Sequence, residues 1–301
     1  MNLGYIGLGK MGLNMVLRLK EKQFEVIAYN RSEGPRKSAE EAGVVVEDSI
    51  KAVVEKLQAP RTVWVMVSHG AVDMVLDELV PLLSEGDTVI DGGNSYFKES
   101  IRRHAQLKEK GINFLDAGVS GGPRGAREGA CTMVGGDKEV FTVHEEIFKA
   151  ISAEDAYAYM GNPGAGHYVK MIHNGIEYGM MQAIAEGFAV MRKSDFKLDL
   201  KEVARIYNNR SVIESRLVGW LGTGFDEYGV DLEEISGSPA YSGEGEWTVK
   251  TAEEAEIPVP VIKDAFQFRV DSKDTPSYTG KVVSALRNQF GGHSPLGQDE
   301  Q

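Results

Sequence analysis

The sequence predicts an α/β fold: an N-terminal Rossmann-type doubly wound sheet followed by a mostly α-helical C-terminal domain. Three observations carry this. Short β-branched runs alternate with amphipathic segments from residue 1 to about 160, a glycine-rich turn follows the first run, and the strand signal fades after Gly161-Asn162-Pro163-Gly164. Alternating strand and helix patterns imply crossover connections, and crossovers build parallel sheets.

The predicted strands are residues 3–6, 25–29, 44–46, 62–67, 88–91 and 113–116, with 133–134 and 156–160 as two later additions. The punctuation at 161–164 stops a strand and resets the chain, which places a domain boundary there. Residues 1–163 are then the sheet domain, and 164–301 an all-helical domain. Within the latter, helical periodicity covers 166–191, 201–221, 248–254, 259–270 and 279–290, and the stretch from Gly291 to Gln301 reads as a tail.

With 301 residues the chain is long enough for two domains. Apolar residues at 42% and charged residues at 26% are ordinary for a soluble globular protein, and no apolar run approaches the roughly 20 residues of a membrane span. The chain enters a strand-like run at once, without a charged leader, a long apolar stretch and a small-residue cleavage site, so the fold is expected to begin at residue 1. Cys131 is the sole cysteine, which forbids an intrachain disulfide and suits a reducing, cytoplasmic compartment; it is expected to be buried packing. A net charge of -12 argues against a nucleic-acid surface. Anionic small molecules stay open, because they need only a few local cations. The six histidines show no zinc-like cluster, so no metal is implied.

Gly7-Leu8-Gly9-Lys10-Met11-Gly12 follows the first strand and opens a helix, with the next strand near Glu25. In that setting the first glycine permits a tight turn, the second lets backbone approach a pyrophosphate, and the third lets helix and strand pack closely. The helix start supplies unpaired N–H donors. A dinucleotide site is the expectation. At the end of the second strand, an NAD enzyme usually carries an acidic residue for the ribose hydroxyl. Here the residues are Asn30-Arg31-Ser32, which suit a 2′-phosphate and favour NADP, with NAD as a secondary cofactor. The alternative is that Arg31 is a solvated loop cation and both cofactors are used. Val67, closing the fourth run, and Asn94 complete the expected cofactor contacts.

Lys170, His173, Asn174, Glu177 and Tyr178 fall at i, i+3, i+4, i+7 and i+8, on one face of a helix. The remaining faces carry Met171, Ile172, Gly175, Ile176, Gly179, Met180, Ala183 and Ile184. A mainly buried helix with one polar band is the layout of a cleft wall; the alternative is a solvated face with a paired Lys and Glu. Removing hydride from an alcohol carbon requires loss of the hydroxyl proton, which a lysine with a lowered pKa accepts. Lys170 is the candidate base and Glu177 the candidate acid for a carbanion or enediol carbon. Asn174 and His173 would position substrate oxygens, and Tyr178 could bond a phosphate.

The run from Lys170 to Gly179 resembles the signature of the 6-phosphogluconate dehydrogenase family, within the β-hydroxyacid dehydrogenase group. Asp91-Gly92-Gly93-Asn94-Ser95 and Gly118-Val119-Ser120-Gly121-Gly122 are similar to that family's two substrate loops. The glycine motif, the Ser-Gly-Gly loop, the lysine and the asparagine are shared across the wider group, whereas His173 and Glu177-Tyr178 point to the decarboxylating sugar-acid enzymes. The resemblance implies the decarboxylating step of the pentose phosphate pathway. Lys170 takes the 3-hydroxyl proton as hydride leaves, the 3-keto acid loses carbon dioxide with Lys170 as acid, and Glu177 protonates carbon 1 to give ribulose 5-phosphate. It implies substrate contacts at Asn94, Ser120, Gly121, Gly122, His173, Asn174 and Tyr178.

Further cations follow from the resemblance. Arg269 matches an arginine beyond a Gly-x-Gly-x-Trp stretch, here Gly243-Glu244-Gly245-Glu246-Trp247. Arg287 and His293, in a segment similar to the family's C-terminal stretch, are implied to reach the substrate of the neighbouring subunit in a homodimer or homotetramer. Three departures stand against this pattern. The chain is of the compact form, Ser242 occupies the position of a phosphate-binding lysine in long forms, and Ser68-His69-Gly70 differs from a lysine-containing loop. The rival readings are a non-decarboxylating β-hydroxyacid dehydrogenase and a non-catalytic NADP-binding protein.

Overall fold

A computed structural model of the protein describes residues 2–296; Gly297 to Gln301, the end of the predicted tail, lie outside the described residues. In chain order the first part comprises β1 (Asn2–Ile6), α1 (Lys10–Glu21), β2 (Glu25–Tyr29), α2 (Glu33–Glu41), β3 (Val45–Val46), α3 (Ile50–Lys56), β4 (Thr62–Val65), α4 (Val72–Leu79), β5 (Thr88–Asp91), α5 (Phe97–Lys108), β6 (Asn113–Ser120), α6 (Gly122–Glu128), β7 (Ala130–Gly136), α7 (Lys138–Ile151) and β8 (Ser152–Gly161). Then follow α8 (Ala165–Arg192), α9 (Leu200–Tyr207), α10 (Arg216–Tyr228), α11 (Gly243–Glu254), α12 (Pro260–Asp271) and α13 (Tyr278–Gly291). The chain divides into two compact units, one up to Lys170 and one from Met171 onward, with α8 running through the division.

The first unit holds an eight-stranded sheet of order β3-β2-β1-β4-β5-β6-β7-β8. Strands β1 to β6 are all parallel, as the alternating pattern requires. Strand β7 departs from it, running antiparallel to β6. Residues 121–129 are too few for a parallel crossover, which needs about a dozen residues, so the chain can only turn back. Both sheet faces are buried. Leu3, Tyr5 and Trp64 point into one core with Met15, Leu19 and Phe148, while Ile6, Val63 and Val65 point into the other with Val53, Val72 and Leu79. Helices therefore cover both sides, and the strands read as near-continuous apolar runs.

Strand β6 reaches beyond the predicted residue 116 to Ser120 and sets the position of α8. The fully buried Asp116 carboxylate accepts from Gly164 N at 2.7 Å and His167 N at 2.8 Å, so it caps the start of α8 from a neighbouring element. One residue pair further along, Gly118 faces Lys170: a Cβ on Gly118 would stand 2.4 Å from Lys170 Cβ and 3.0 Å from Gly166 O.

In the second unit, Leu200, Ala204, Leu217, Leu221 and Phe225 form one core with Met181, Ala185 and Phe188 of α8 and Val282, Val283 and Leu286 of α13. Three expectations are corrected. The single helical pattern over 201–221 is two helices, because Asn208 Oδ1 accepts from Ser215 N at 3.2 Å, Arg210 adopts a φ of 62°, and Ser215 caps α10 by accepting from Val218 N. Helix α8 is not buried on all its apolar faces: Ile176, Met180 and Val190 are 52%, 43% and 73% exposed. Cys131 is exposed, since the alternation of β7 turns it away from buried Ala130 and Thr132.

The contact at Gly118 and the cap at Asp116 predict two costs. Gly118→Ala forces β6 and α8 apart, and Asp116→Ala leaves two buried N–H groups without their acceptor; each is expected to lower unfolding free energy by about 1–3 kcal/mol. Urea denaturation followed by circular dichroism measures both, and unchanged midpoints would contradict the tight β6–α8 junction.

Candidate active site

Parallel strands place their following loops on one edge of the sheet, and the predicted cofactor and loop residues of the first unit occupy that edge. The glycine loop follows β1, Asn30-Arg31-Ser32 follows β2, Val67 lies just past β4, Asn94 past β5, and Ser120-Gly121-Gly122 closes β6. Strand order reverses between β1 and β4, the point at which open α/β sheets bind ligands in the crevice outside their carboxyl ends.

The glycine loop fits a pyrophosphate by its own geometry. Gly7 has a φ of 105°, and a Cβ there would stand 2.2 Å from Met66 O. Gly9 caps α1 without a side-chain hydrogen bond, a Cβ on it would meet nothing within 4 Å, and the first turn of α1, with Lys10, Met11 and Gly12, carries no acidic residue. Open space at uncapped amides with no opposing carboxylate is what an anionic diphosphate requires. Asn30 holds this loop in shape, its Oδ1 accepting from Leu8 N at 2.9 Å while its Nδ2 donates to Ser32 O at 3.1 Å. Arg31 is exposed beside it.

The Asp91–Ser95 loop is braced from beneath. Asp91 accepts from Gly93 N at 3.1 Å and from Ser95 Oγ at 2.7 Å, and buried Arg103 donates to Ser95 Oγ at 2.9 Å and to Asp73 at 2.8 Å. Hydrogen bonds from Arg103 and then Arg102 hold the Asp73 carboxyl down to about 2. Since the folded value lies below the ordinary 3.8, this brace stabilises above that pH and is lost as pH falls through about 2. Asn94 is thereby presented on the exposed tip. Across the sheet, Gly121 and Gly122 adopt φ values of 122° and 62° at the turn into α6, and Lys170 is only 7% exposed beside Gly118.

The second unit gathers the rest of the α8 band with residues from α11 to α13. His173 Nδ1 lies 2.9 Å from Asn174 Oδ1 and 3.8 Å from Glu177 Oε2, and Asn174 Nδ2 donates to Glu244 Oε1 at 3.1 Å. Tyr178 is buried; its hydroxyl accepts from Ser242 N at 3.2 Å, and the Arg269 guanidinium lies over its ring at 3.4 Å. Arg269 is 2% exposed, and its Nη2 is buried without a hydrogen-bond partner. Burial pulls the guanidinium down to about 10; Arg287 adds to that pull, while Tyr178 and Glu177 oppose it. Arg269 is thus a cation at neutral pH with an unused donor.

Arg287 is buried within α13, and the described part of the tail lies on its own unit. Asn288 Nδ2 donates to His293 O at 2.9 Å, and Pro295 O accepts from Ser236 N at 2.8 Å. Among the described residues no group of three or more His, Cys, Asp or Glu side chains is placed to hold a metal ion, and no helix is long and apolar enough to cross a membrane. The sequence reading missed Asp116 and Glu244. The signal for Glu244 in the sequence is an acidic residue enclosed by the two glycines of the Gly-x-Gly-x-Trp stretch.

Comparison with known proteins agrees on the same family in both parts of the chain. Residues 2–161 match the NAD binding domain of 6-phosphogluconate dehydrogenase, and residues 166–289 match the 6-phosphogluconate dehydrogenase C-terminal domain. The Bacillus subtilis (strain 168) protein YqeC is 47% identical over 294 residues, covering 98% of this chain and 99% of its own. An NAD(+)-dependent, decarboxylating 6-phosphogluconate dehydrogenase of Haloferax volcanii is 39% identical over 302 residues, covering 100% of both chains. Among solved structures, Plasmodium falciparum 6-phosphogluconate dehydrogenase, studied as apo form and in complexes with NADP+ and with 6-phosphogluconate, superposes with a TM-score of 0.78 at 31% identity, over 95% of this chain and 70% of that one. Matched in both parts, and end to end with relatives of its own compact length, the chain belongs to the 6-phosphogluconate dehydrogenase family.

Proposed function

We propose that this chain oxidatively decarboxylates 6-phosphogluconate to ribulose 5-phosphate and carbon dioxide, with NADP as its main cofactor, NAD as a secondary one, and a cytoplasmic setting. The observation that carries this reading is the buried, unpaired Nη2 of Arg269 above Tyr178, in the same unit as Glu177. A buried donor without an acceptor is costly, and a phosphate oxygen is the acceptor that would offset it. Ser242, in place of a cation, leaves Arg269 as the chain's own positive charge for that phosphate, with Arg287 supplied by a neighbouring copy.

When bound, the nicotinamide cofactor supplies the hydride acceptor. Lys170 Nζ takes the proton of the substrate 3-hydroxyl as the hydride departs, leaving a 3-keto acid. Loss of the carboxylate as carbon dioxide places the electron pair on the enediol, and Lys170 returns its proton to the former carbonyl oxygen. Glu177 then protonates carbon 1 while the now neutral Lys170 takes back the proton of the adjacent enediol hydroxyl, which leaves the ketone of ribulose 5-phosphate. His173 and Asn174 hold substrate hydroxyls, and Asn94, Ser120, Gly121 and Gly122 hold the reacting end. A non-decarboxylating dehydrogenase would leave Glu177 and Arg269 without a task.

The chain is also read as a homodimer or homotetramer. The exposed Ile176, Met180 and Val190 recur along one side of α8, as expected of a surface covered by a second copy. Arg287 and His293 are then the residues through which the C-terminal segment serves the neighbouring site.

Three outcomes test these points. With 6-phosphogluconate and NADP, reduced cofactor and carbon dioxide should appear in equal amounts; reduction without gas release would overturn the decarboxylating reading. Arg31→Ala should raise the KM for NADP by about 10- to 100-fold, the worth of a charge-assisted hydrogen bond, and leave that for NAD nearly unchanged; equal effects would remove Arg31 from the 2′-phosphate. Mixing inactive Lys170→Ala with inactive Arg287→Ala protein under subunit exchange should restore part of the activity if sites are shared between subunits, and none if Arg287 serves its own chain.

A further inference from the structure

We propose that Glu244 is a positioning residue that fixes the tautomer of His173 through the side-chain amide of Asn174. The bearing of this on turnover rests on the function proposed above; the tautomer itself does not. Helix α11 begins at Gly243, so Glu244 sits in its first turn, where the free N–H groups of a helix start favour a negative side chain. It is 3% exposed. Its backbone is clamped against α8: Thr248 Oγ1 is shared between Glu244 O at 2.7 Å and Met171 O at 2.9 Å, and a Cβ on Gly245 would stand 2.5 Å from the Tyr178 ring. The carboxylate therefore has little freedom to move away from Asn174.

A carboxylate only accepts hydrogen bonds. At 3.1 Å from Glu244 Oε1, Asn174 must present its amino group, because the flipped amide would set carbonyl oxygen against carboxylate oxygen. That assigns Oδ1 to the opposite side, where it meets His173 Nδ1 at 2.9 Å. An amide oxygen cannot donate, so His173 Nδ1 carries the proton. The chain Glu244, Asn174, His173 runs in one direction of donation, and it leaves Nε2 of the neutral imidazole as an acceptor, suited to a hydroxyl of a polyol acid. Glu177 Oε2, 3.8 Å from the same Nδ1, is too distant to hydrogen-bond it but favours a proton there. Without Glu244, the carboxylate that excludes the flipped Asn174 amide is gone, and the Nε2–H form preferred by an unconstrained imidazole becomes accessible.

Long-range proton–nitrogen correlation spectra of the full-length protein labelled with ¹⁵N-histidine, recorded at pH 8 with His173 assigned through His173→Gln, test this directly. The wild type should show His173 protonated at Nδ1. Glu244→Ala should shift it to Nε2–H or a mixture, with kcat lowered about 10-fold, the scale of one lost hydrogen bond. Glu244→Gln, whose Oε1 still accepts from Asn174, should retain the Nδ1–H pattern and most of the turnover. An Nε2–H imidazole in the wild type, or an unchanged Nδ1–H imidazole in a folded Glu244→Ala protein, would overturn the assignment whatever the substrate. The wild-type spectrum alone decides the matter if the alanine variant does not fold.

Discussion

The structure depends on a carboxylate that takes no part in the proposed chemistry. Asp116, fully buried on β6, binds the backbone amides at the start of α8 with both oxygens. A helix start has several N–H groups with no partner inside the helix, and a fixed negative group there both satisfies donors and favours the helix dipole. Because Asp116 belongs to a central strand, the cap ties α8 to the sheet rather than merely ending it. Gly118 then lets the backbone of β6 approach Lys170 to a distance no side chain would permit. From that junction the 3.6-residue period carries His173, Asn174, Glu177 and Tyr178 along the same side of one helix. The order of the proposed acid and base groups is therefore set where α8 is anchored, and the strand that anchors it ends in the Ser120-Gly121-Gly122 turn.

This dependence explains what could be read from the sequence. Strands β2 and β5 were legible to the residue because each carries a run buried on both faces, Val26 to Ala28 in β2 and Thr88 to Asp91 in β5. Strand β6 was cut short in the reading, since Gly118 and Ser120 weaken a strand pattern for reasons of packing and ligand approach that act between elements. Helix α11 begins at Gly243 rather than near Thr248, because glycines lower helix propensity while the close approach to Tyr178 demands one at 245. The two helices merged in the reading over 201–221 each have the right period, and the break is written only in short-range polar bonds around Asn208 and Ser215. The polar band of α8 was legible because all its members share one helix. Asp116 and Glu244 were not, because they act across 48 and 70 residues of chain, respectively, where periodicity carries no information.

The buried polar groups divide by whether their bonding is complete. Asp91, Asp116 and Arg103 are closed into networks with the atoms around them, which is how a buried charge becomes tolerable. Such groups specify geometry, and removing one partner leaves another stranded. Arg269 is different. It stacks on Tyr178 and feels Arg287 as a second positive charge, with one nitrogen left unpaired. Two cations near one another in a buried setting repel, and with burial this outweighs what Tyr178 and Glu177 contribute to holding the Arg269 charge. A cost of this kind is retained where a ligand offsets it. The ligand must be anionic to relieve the repulsion, and must offer oxygen acceptors to the open nitrogen. In the proposed reading, Ser242 does not remove a phosphate subsite; it would shift the work of neutralisation onto arginines, whose charge persists when buried.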